Sequence, residues 1–296
     1  GGVANGTYKD YQEEADLIFR AICEVSNEKD GNGAYHRFPN ILFNIRKGDL
    51  DEYSGICKLL HETGANNPTI YYVNCTELER TVMGCRTALP MNYTGNYEQD
   101  CCNTGNFMYS TLNLPLIALQ AKDNSERNKK ELRQEFYNLL GYMCDIIYDT
   151  LIWRRQQIED VIYKKHMSDF LLQKDEETNE ELYRFDTTTM TIGFCGLHEC
   201  LEILKCDEEE GVGILNFLNS KRDLFKEKDG LRWSVIASPA ESASHRFAEI
   251  IKEKYPDAPI KGTKEHYYLT NSSHIPVSEE TTIVDHIRNA GIYHPL

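Results

Sequence analysis

The spacing of apolar residues predicts helices at several places along the chain. Apolar positions three and four residues apart, which share one face of a helix, predict a helix over Tyr8 to Val25. The same spacing is strongest from about Ser125 to Leu171, where it predicts one or two long amphipathic helices with a charged outer face. A helix that packs over the hydrophobic core, without any further function, explains this second pattern.

Short apolar runs bounded by turn residues predict strands. They lie around Phe38 to Ile45, at Ile70 to Val73, from Thr187 to Phe194, from Leu231 to Ala237 and from His266 to Thr270. Helices are predicted between the later strands, at Gly196 to Leu204, at Val212 to Leu218 and from Pro239 to Lys254. Strands that alternate with helices favour an α/β fold.

Composition narrows the classes of function. The 296 residues fit one large domain or two modest ones, and 41% hydrophobic with 27% charged residues is ordinary for a globular protein. No apolar run approaches the ~20 residues that cross a bilayer. A net charge of −15 disfavours general binding to nucleic acid, because that needs a basic surface. Ten cysteines without a CxxC pair or a signal segment favour a reducing, cytoplasmic location.

One strand runs into a marked helix start at Ser238-Pro239-Ala240-Glu241-Ser242. Serine is a preferred N-cap, proline suits the first helical position, and a glutamate three residues after the cap completes a capping box. The same free backbone N–H groups could instead bind an anion. The local sequence alone favours the purely stabilising interpretation.

Four residues, Cys195, His198, Cys200 and Cys206, form a cluster in sequence that could ligate a metal. Their spacing is not that of zinc fingers, ribbons or ferredoxins. Buried structural cysteines are the favoured interpretation, so no metal site is predicted.

Three further segments carry side chains suited to a binding site. Cys85 follows a glycine on a predicted loop, Asn106 and Asn113 are amides within an apolar stretch, and polar residues from Thr270 to His274 end the last strand. Each also has an interpretation without a function. The cysteine could be unreactive, the amides could form hydrogen bonds only with the backbone, and the polar residues could form a turn.

In chain order, these segments together resemble the anaerobic, class III, ribonucleotide reductases, which are glycyl-radical enzymes. The resemblance rests on Met83-Gly84-Cys85-Arg86, Gly105-Asn106, Leu112-Asn113-Leu114-Pro115, Ile192 to Glu199, Ser238 to Ser242 and Tyr268 to His274. It covers nearly the whole chain. It implies reduction of ribonucleoside triphosphates to 2′-deoxyribonucleotides.

The resemblance also implies a fold, a ten-stranded α/β barrel of two parallel five-stranded halves with a finger loop through its centre. Residues 1–296 would form part of that barrel as a single domain. The resemblance makes Cys85 the thiyl-radical residue and places Asn106 beside the substrate, as in the formate-using branch. Thr87 and Glu241 would lie near the sugar.

Nine residues are implied to bind substrate. Ser238, Pro239, Ala240, Glu241 and Ser242 match the phosphate-holding helix start, and Asn271, Ser272, Ser273 and His274 would line the same mouth. Two features depart from the pattern: Leu116 stands where the family usually has arginine, and Cys101-Cys102 has no family counterpart.

Cofactors and partners follow from the same resemblance. They are a glycyl radical on a segment outside these residues, formate (or else a thiol) as reductant, a structural zinc in a Cys-rich module, a radical-SAM activating enzyme, ATP and dNTP effectors and a homodimeric partner. The glycyl-radical segment, the zinc module and the ATP-cone are not among these residues, so the chain is expected to be an internal piece without turnover of its own. Two alternatives remain: another glycyl-radical enzyme, a lyase or dehydratase, or a non-catalytic nucleotide- or metal-binding module.

Overall fold

A computed structural model describes residues 8–36, 38–45, 55–67, 70–76, 80–83, 87–91, 93–176, 179–271 and 282–293. The chain divides into two compact units, residues 1–105 and 106–296. The single barrel domain remains a prediction.

The first unit contains a βαβ arrangement followed by a hairpin. Helix α1 (Gln12–Asn27) precedes strand β1 (Ile41–Ile45), helix α2 (Gly55–Asn66) and strand β2 (Ile70–Asn74). Strands β1 and β2 are parallel, with Ile41 opposite Ile70. Strands β3 (Arg80–Met83) and β4 (Thr87–Pro90) are antiparallel, and the short helix α3 (Tyr97–Cys101) follows.

The second unit alternates strands and helices. Its elements are β5 (Asn106–Asn113), α4 (Leu114–Asn128), α5 (Leu132–Glu159), β6 (Thr189–Cys195), α6 (Leu197–Leu204), α7 (Glu208–Asp229), β7 (Arg232–Ala237), α8 (Glu241–Lys254), β8 (Lys261–Thr263), β9 (His266–Tyr268) and α9 (Ile283–Tyr293). A π-helical turn at Asp160–Lys164 extends α5, and a 3-10 turn lies at Asp169–Leu172.

A parallel three-stranded sheet, in the order β5-β6-β7, forms the centre of the second unit. Thr111 is in register with Gly193, and Gly193 with Ile236. Parallel strands need crossover connections, and the helices between these strands supply them. The predicted α/β class is therefore confirmed in the described residues.

Helix ends in this unit follow local chemistry. The side-chain oxygen of Asn113 accepts a hydrogen bond from the backbone N–H of Leu116, and Pro115 lies in the first turn of α4. Asp207 caps α7 in the same way through the N–H of Glu210. Gly196 precedes α6 at φ 77°, where a Cβ would come within 2.5 Å of Pro115, so only glycine fits.

The core lies between the sheet and its helices. Met190, Ile192 and Phe194 on one face of β6 are almost fully buried. Leu114, Phe136 and several further apolar residues of α4 and α5 belong to the same cluster. No helix in the described part of the chain is long and apolar enough to span a membrane.

Most predicted elements are present with shifted ends. The long pattern from Ser125 to Leu171 covers the end of α4, all of α5 and the two turns that follow. The helix predicted over Val212 to Leu218 is the middle of the 22-residue α7. The sequence pattern did not reveal α9 or the pairing of β8 with β9.

Candidate active site

One face of the central sheet is polar. Side chains alternate along a strand, so Thr189, Thr191, Gly193 and Cys195 of β6 face away from Met190, Ile192 and Phe194. The four are buried, although two of them are hydroxyl residues. Buried polar groups need partners, so this face of the sheet is a candidate binding site.

A glycine lets two hydroxyls meet across β6. The Oγ1 of Thr111 on β5 lies 2.9 Å from the Oγ of Ser238, which follows β7. A Cβ on Gly193 would come within 2.3 Å of the Ser238 Oγ and 2.9 Å of the Thr111 Oγ1. The pair therefore requires glycine at position 193, and it fixes the segment that leads into α8.

The capping box predicted for Ser238 is wrong. Helix α8 begins at Glu241 with Ala240 as its N-cap, and no side chain caps it. The Ser238 hydroxyl is fully buried against Thr111, and its backbone N–H donates to the carbonyl of Phe194 at 2.9 Å. The contact between Ser238 and Thr111 thus replaces the predicted cap. As a result, the first N–H groups of α8 have no side-chain acceptor from the N-cap residue, which is Ala240.

The other residues of the segment Ser238 to Ser242 differ in exposure. Pro239 and Ala240 are half-buried, whereas Glu241 and Ser242 are exposed. Glu241 is one of the charges that raise the pKa of the nearby Cys195 thiol, so its carboxylate lies on the side of the sheet where β6 ends.

The chain beyond β9 is held against two helices. The carboxylate of Glu199 on α6 accepts hydrogen bonds from the N–H of Thr270, at 3.0 Å, and from its hydroxyl, at 2.7 Å. The Ser244 hydroxyl of α8 donates to the Leu269 carbonyl at 2.6 Å. All four groups are buried. This fixes the residue before Asn271, while Ser272, Ser273 and His274 lie outside the described residues.

Asn106 lies at the other end of the polar face. Its Oδ1 accepts a hydrogen bond of 2.9 Å from the hydroxyl of Thr191, which is also 2.7 Å from the Oγ of Ser234 on β7. Thr189 stands opposite Asn106 in register and is 3% exposed. Its Oγ1 has no hydrogen-bond partner in the described part of the chain.

A buried arginine holds the two segments beside Asn106. Arg155 of α5 donates to the Phe185 carbonyl at 2.9 Å and to the Thr188 hydroxyl at 3.0 Å. Its guanidinium lies over the rings of Phe185 and Phe107, at 4.6 and 5.5 Å. Because Phe107 follows Asn106 and Thr188 precedes Thr189, Arg155 ties both strand starts to α5.

The hairpin of the first unit carries the predicted radical residue. Met83 of β3 is in register with Thr87 of β4, and Cys85 belongs to the three residues that connect them. Cys85 itself and the side chain of Thr87 lie outside what the structure describes. The buried Cys101 thiol donates to the carbonyl of Leu89 on β4 at 3.1 Å, which gives this cysteine a structural role.

The cysteines that were predicted to be structural and not metal ligands differ in burial. Cys195 and Cys200 are buried, as predicted, whereas Cys206 is exposed. Burial raises the pKa of Cys195 to about 12, with the charges of Glu199 and Glu241 adding to the effect. His198 pairs with Glu202 at 3.7 Å. Among the described residues, no three His, Cys, Asp or Glu side chains are placed to hold a metal.

A cavity of about 360 Å³ opens beside β5. Its wall includes Leu116 and Asn113, with apolar side chains from α5 and α8. Leu116, the departure from the reductase pattern, thus contributes an apolar surface where arginine was expected.

Sequence reasoning assigned no role to several residues of this site, which are Thr111, Thr189, Thr191, Ser234 and Arg155. Gly193 and Glu199 were named only as members of the motif Ile192 to Glu199, without a role of their own. The signal that could have found the strand residues was present: a predicted buried strand, Thr187 to Phe194, with hydroxyls at alternate positions. Glu199 and Arg155 act through residues distant in sequence, which no local pattern reveals.

A parallel sheet with one polar face, and with helix starts and polar turns at its strand ends, defines an α/β protein whose candidate ligand site lies at its sheet. A model of the family described as anaerobic ribonucleoside-triphosphate reductase matches residues 2–296. The chain therefore belongs to that family, as the sequence motifs predicted.

Individual relatives agree with the family match. The chain is 29% identical over 221 residues to the anaerobic ribonucleoside-triphosphate reductase of Enterobacteria phage T4, which covers 72% of this chain and 35% of the relative. It is 25% identical over 287 residues to that of Escherichia coli K12, covering 88% of this chain and 38% of the relative. The chain thus spans little more than a third of the length of these relatives.

Solved structures share the fold. The anaerobic ribonucleotide reductase from Thermotoga maritima in complex with dATP and CTP has a TM-score of 0.70 at 16% identity, covering 98% of this chain and 46% of that one. The same enzyme with citrate in the active site also gives 0.70, at 18% identity, with 98% and 51% covered. The α/β fold is confirmed, and the closure into ten strands stays a prediction.

Proposed function

We propose that this chain forms part of the catalytic barrel of an anaerobic reductase that converts ribonucleoside triphosphates into 2′-deoxyribonucleoside triphosphates, with formate as reductant. The net reaction is balanced: the 2′-hydroxyl leaves as water, and formate is oxidised to carbon dioxide while one proton is consumed. Family membership supports the reaction class and favours it over a lyase or dehydratase.

One observation carries the proposal. The Asn106 carboxamide contacts Thr191, and the Ser238 hydroxyl lies against Gly193, two residues further along the same face of β6. Two residues of a parallel strand span about 7 Å. A ribose with its 5′-phosphate bridges a gap of that size, so sugar and phosphate could contact the two positions together.

At the phosphate end, the N–H groups of Glu241, Ser242 and the following residue would bind the triphosphate. They open a 14-residue helix whose dipole favours an anion. Ser238 serves this site indirectly, since its buried hydroxyl fixes the turn at Pro239 and Ala240. Glu241, free of the capping role, is available for a sugar hydroxyl. Asn271 to His274 are proposed to border the same mouth.

At the sugar end, Cys85 is proposed as the thiyl-radical residue, with Thr87 and Asn106 beside the ribose. A glycyl radical outside these residues would generate the thiyl radical, which removes the 3′-hydrogen of the substrate. A radical-SAM activating enzyme, ATP and dNTP effectors, a homodimeric partner and a zinc module elsewhere in the protein belong to this proposal.

The test uses the complete reductase in which these residues occur, activated without oxygen. We expect Cys85→Ala to abolish deoxyribonucleotide formation while the Kd for ribonucleoside triphosphate stays within about twofold, because the thiol acts in chemistry and not in binding. Cys206→Ala is the matched control, since Cys206 is exposed and distant in sequence from the proposed site.

Turnover retained by Cys85→Ala would refute the assignment. A complete enzyme that is inactive with formate but active with a dithiol would refute the reductant and leave the reaction class intact. Deoxyribonucleotide formation by the 296 residues alone would contradict the expectation that they are only a piece of the catalytic unit.

A further inference from the structure

The hairpin around Cys85 is held by contacts to one pair of residues. Thr81 of β3 and Leu89 of β4 lie directly opposite each other in register. Cys85 comes four residues after Thr81 and four residues before Leu89, so it is the midpoint of the chain that joins them. Any element that fixes this pair also fixes where both arms of the connecting loop begin.

Both members of the pair contact the short helix α3. The hydroxyl of Tyr97 lies 3.2 Å from the Oγ1 of Thr81. The thiol of Cys101 donates a hydrogen bond to the carbonyl of Leu89 at 3.1 Å. Tyr97 and Cys101 are four residues apart and therefore share one face of the helix, so α3 contacts the two strands with a single surface.

The hairpin needs such a support. In the described part of the chain, β3 and β4 pair only with each other, and an isolated two-stranded hairpin is marginally stable in water. Leu89 is 2% exposed and Cys101 is 5% exposed, whereas Tyr97 is 43% exposed. The contact of the thiol with the carbonyl is thus shielded from water and is the stronger of the two.

One carboxylate fixes the helix in turn. Asp100, which is fully buried, precedes Cys101 in α3. It accepts hydrogen bonds from the backbone N–H groups of Tyr93, Thr94 and Gly95, at 3.0, 3.0 and 3.2 Å. The Thr94 hydroxyl donates to it at 2.8 Å. Burial alone would raise the pKa of Asp100, but these hydrogen bonds lower it below the ordinary value, so the carboxylate is ionised and accepts all of them.

We propose that Asp100 is a positioning residue for Cys85. It ties the loop after β4 to α3, α3 holds Thr81 and Leu89, and this pair sets the two ends of the loop that presents the Cys85 sulfur to the substrate. The inference rests on the proposed function, in which Cys85 is the thiyl-radical residue.

The chemistry makes this position critical. The thiyl sulfur takes a hydrogen atom from C3′ of the ribose, which leaves an S–H bond on the cysteine and the unpaired electron on C3′. Such a transfer requires the sulfur and the hydrogen to be in close contact, and a misplacement of about 1 Å can slow a reaction by roughly 100-fold. A shifted hairpin should therefore slow this step far more than it weakens nucleotide binding.

The experiment uses the complete reductase, activated without oxygen, with ribonucleoside triphosphate that carries hydrogen or deuterium at C3′. Asp100→Asn keeps the size of the side chain and replaces one acceptor oxygen by an amide group that only donates. We expect kcat to fall about tenfold or more while the nucleotide KM stays within about twofold. The deuterium isotope effect on kcat should rise, because hydrogen transfer limits the rate more strongly. A simple loss of folded enzyme would lower kcat without changing the isotope effect.

A second pair of variants acts at the hairpin itself. Cys101→Ala removes the hydrogen bond to the Leu89 carbonyl, and Cys101→Ser keeps a donor at that place. We expect Cys101→Ala to lower kcat by roughly threefold to tenfold with a larger isotope effect, since one contact of α3 with the hairpin is lost. Cys101→Ser should return both quantities to within about twofold of their original values.

Asp30→Asn is the matched control. Asp30 also accepts hydrogen bonds from the backbone of a turn in the same compact unit, from the N–H groups of Asn32 and Ala34 at 2.8 and 3.0 Å. It is distant in sequence from the hairpin. This substitution should leave kcat and the isotope effect unchanged.

The outcomes separate this inference from the function on which it rests. Turnover retained by Cys85→Ala means that the proposed function fails. If Cys85→Ala is inactive but Asp100→Asn keeps the original kcat, or loses activity with an unchanged isotope effect, the proposed function stands and the positioning role is overturned. Should Asp100→Asn not fold, the same criterion applied to Cys101→Ala decides.

Discussion

The hydroxyls of Thr111 and Ser238 lie 2.9 Å apart, in the space that a Cβ on Gly193 would enter. They come from the outer strand β5 and from the turn after β7, and they meet because the middle strand has no side chain at that point. The contact joins the end of the sheet to the start of α8, where the phosphates of the substrate are proposed to bind.

Gly193→Ala should therefore damage both stability and nucleotide binding. The new Cβ would lie 2.3 Å from the Ser238 Oγ, and relief of such overpacking typically costs about 2 kcal/mol. Because the start of α8 must move, we expect nucleotide affinity to fall by roughly tenfold or more. Denaturant unfolding and equilibrium nucleotide binding measure the two effects.

Gly291→Ala is the control for that substitution. Gly291 lies in α9, and a Cβ there would have no neighbour within 4 Å, so the change should be neutral or slightly stabilising. Gly193→Ala with unchanged nucleotide affinity would mean that the Thr111–Ser238 contact does not position the proposed phosphate site.

The segment at Ser238 shows that the local sequence predicted the helix but not the hydrogen-bond partner of the serine. Ser238 to Glu241 reads as a capping box, and a helix does follow, but the cap is absent because Thr111 binds the serine hydroxyl instead. Thr111 lies 127 residues earlier in the chain. A local pattern predicts which elements form, and a partner from another strand decides which atoms they use.

Strand β6 could be predicted because its signal is local. Met190, Ile192 and Phe194 alternate with Thr189, Thr191 and Gly193, and this pattern can be read from consecutive residues. What the pattern could not supply was the register that sets Thr191 against Asn106 and Ser234. Register depends on long-range pairing, so the hydrogen-bond chain across the sheet appears only in the structure.

Arg155→Met is expected to destabilise the protein by roughly 2–4 kcal/mol, since the Phe185 carbonyl and the Thr188 hydroxyl would lose bonds to a charged donor. Methionine keeps much of the volume, so the loss reports these hydrogen bonds, the ion pair of Arg155 with Glu159 and the contact with the two rings. The free energy of unfolding measures it. Arg154→Met, at an exposed position one residue earlier, should change it by less than about 0.5 kcal/mol. Equal effects of the two substitutions would contradict the role given to Arg155.

Glu199→Ala should loosen the segment that leads to Asn271. The N–H and hydroxyl of Thr270 would be left buried without their acceptor, at a cost of about 2–4 kcal/mol. Amide hydrogen exchange is expected to accelerate at Thr270. Glu209→Ala, at an exposed position of α7, is the matched control. Unchanged protection at Thr270 in the Glu199 variant would show that its carboxylate is not what holds the segment.

The buried thiols predict a pattern of alkylation and of alkaline stability. Burial raises the pKa of Cys144 and of Cys195 to about 12, so both stay protonated at pH 8, where only a thiolate reacts. The pKa of the Cys206 thiol is also raised by partial burial, but this thiol is exposed, so iodoacetamide should modify Cys206 in the folded protein and leave Cys144 and Cys195 intact until it unfolds. Peptide mass spectrometry gives the order of modification.

The same shift fixes the sign of the pH dependence. In the unfolded chain these thiols lose their protons near the ordinary value of 9.0, whereas in the folded protein they hold them to about pH 12. The folded state thus binds more protons between these values, and its stability must fall as pH rises through that window. Cys195→Ala and Cys144→Ala should each flatten the fall in a melting series from pH 8 to pH 11, and Cys206→Ala should flatten it less. A fall of unchanged slope in both buried-site variants would mean that other groups, such as the tyrosines, govern alkaline unfolding.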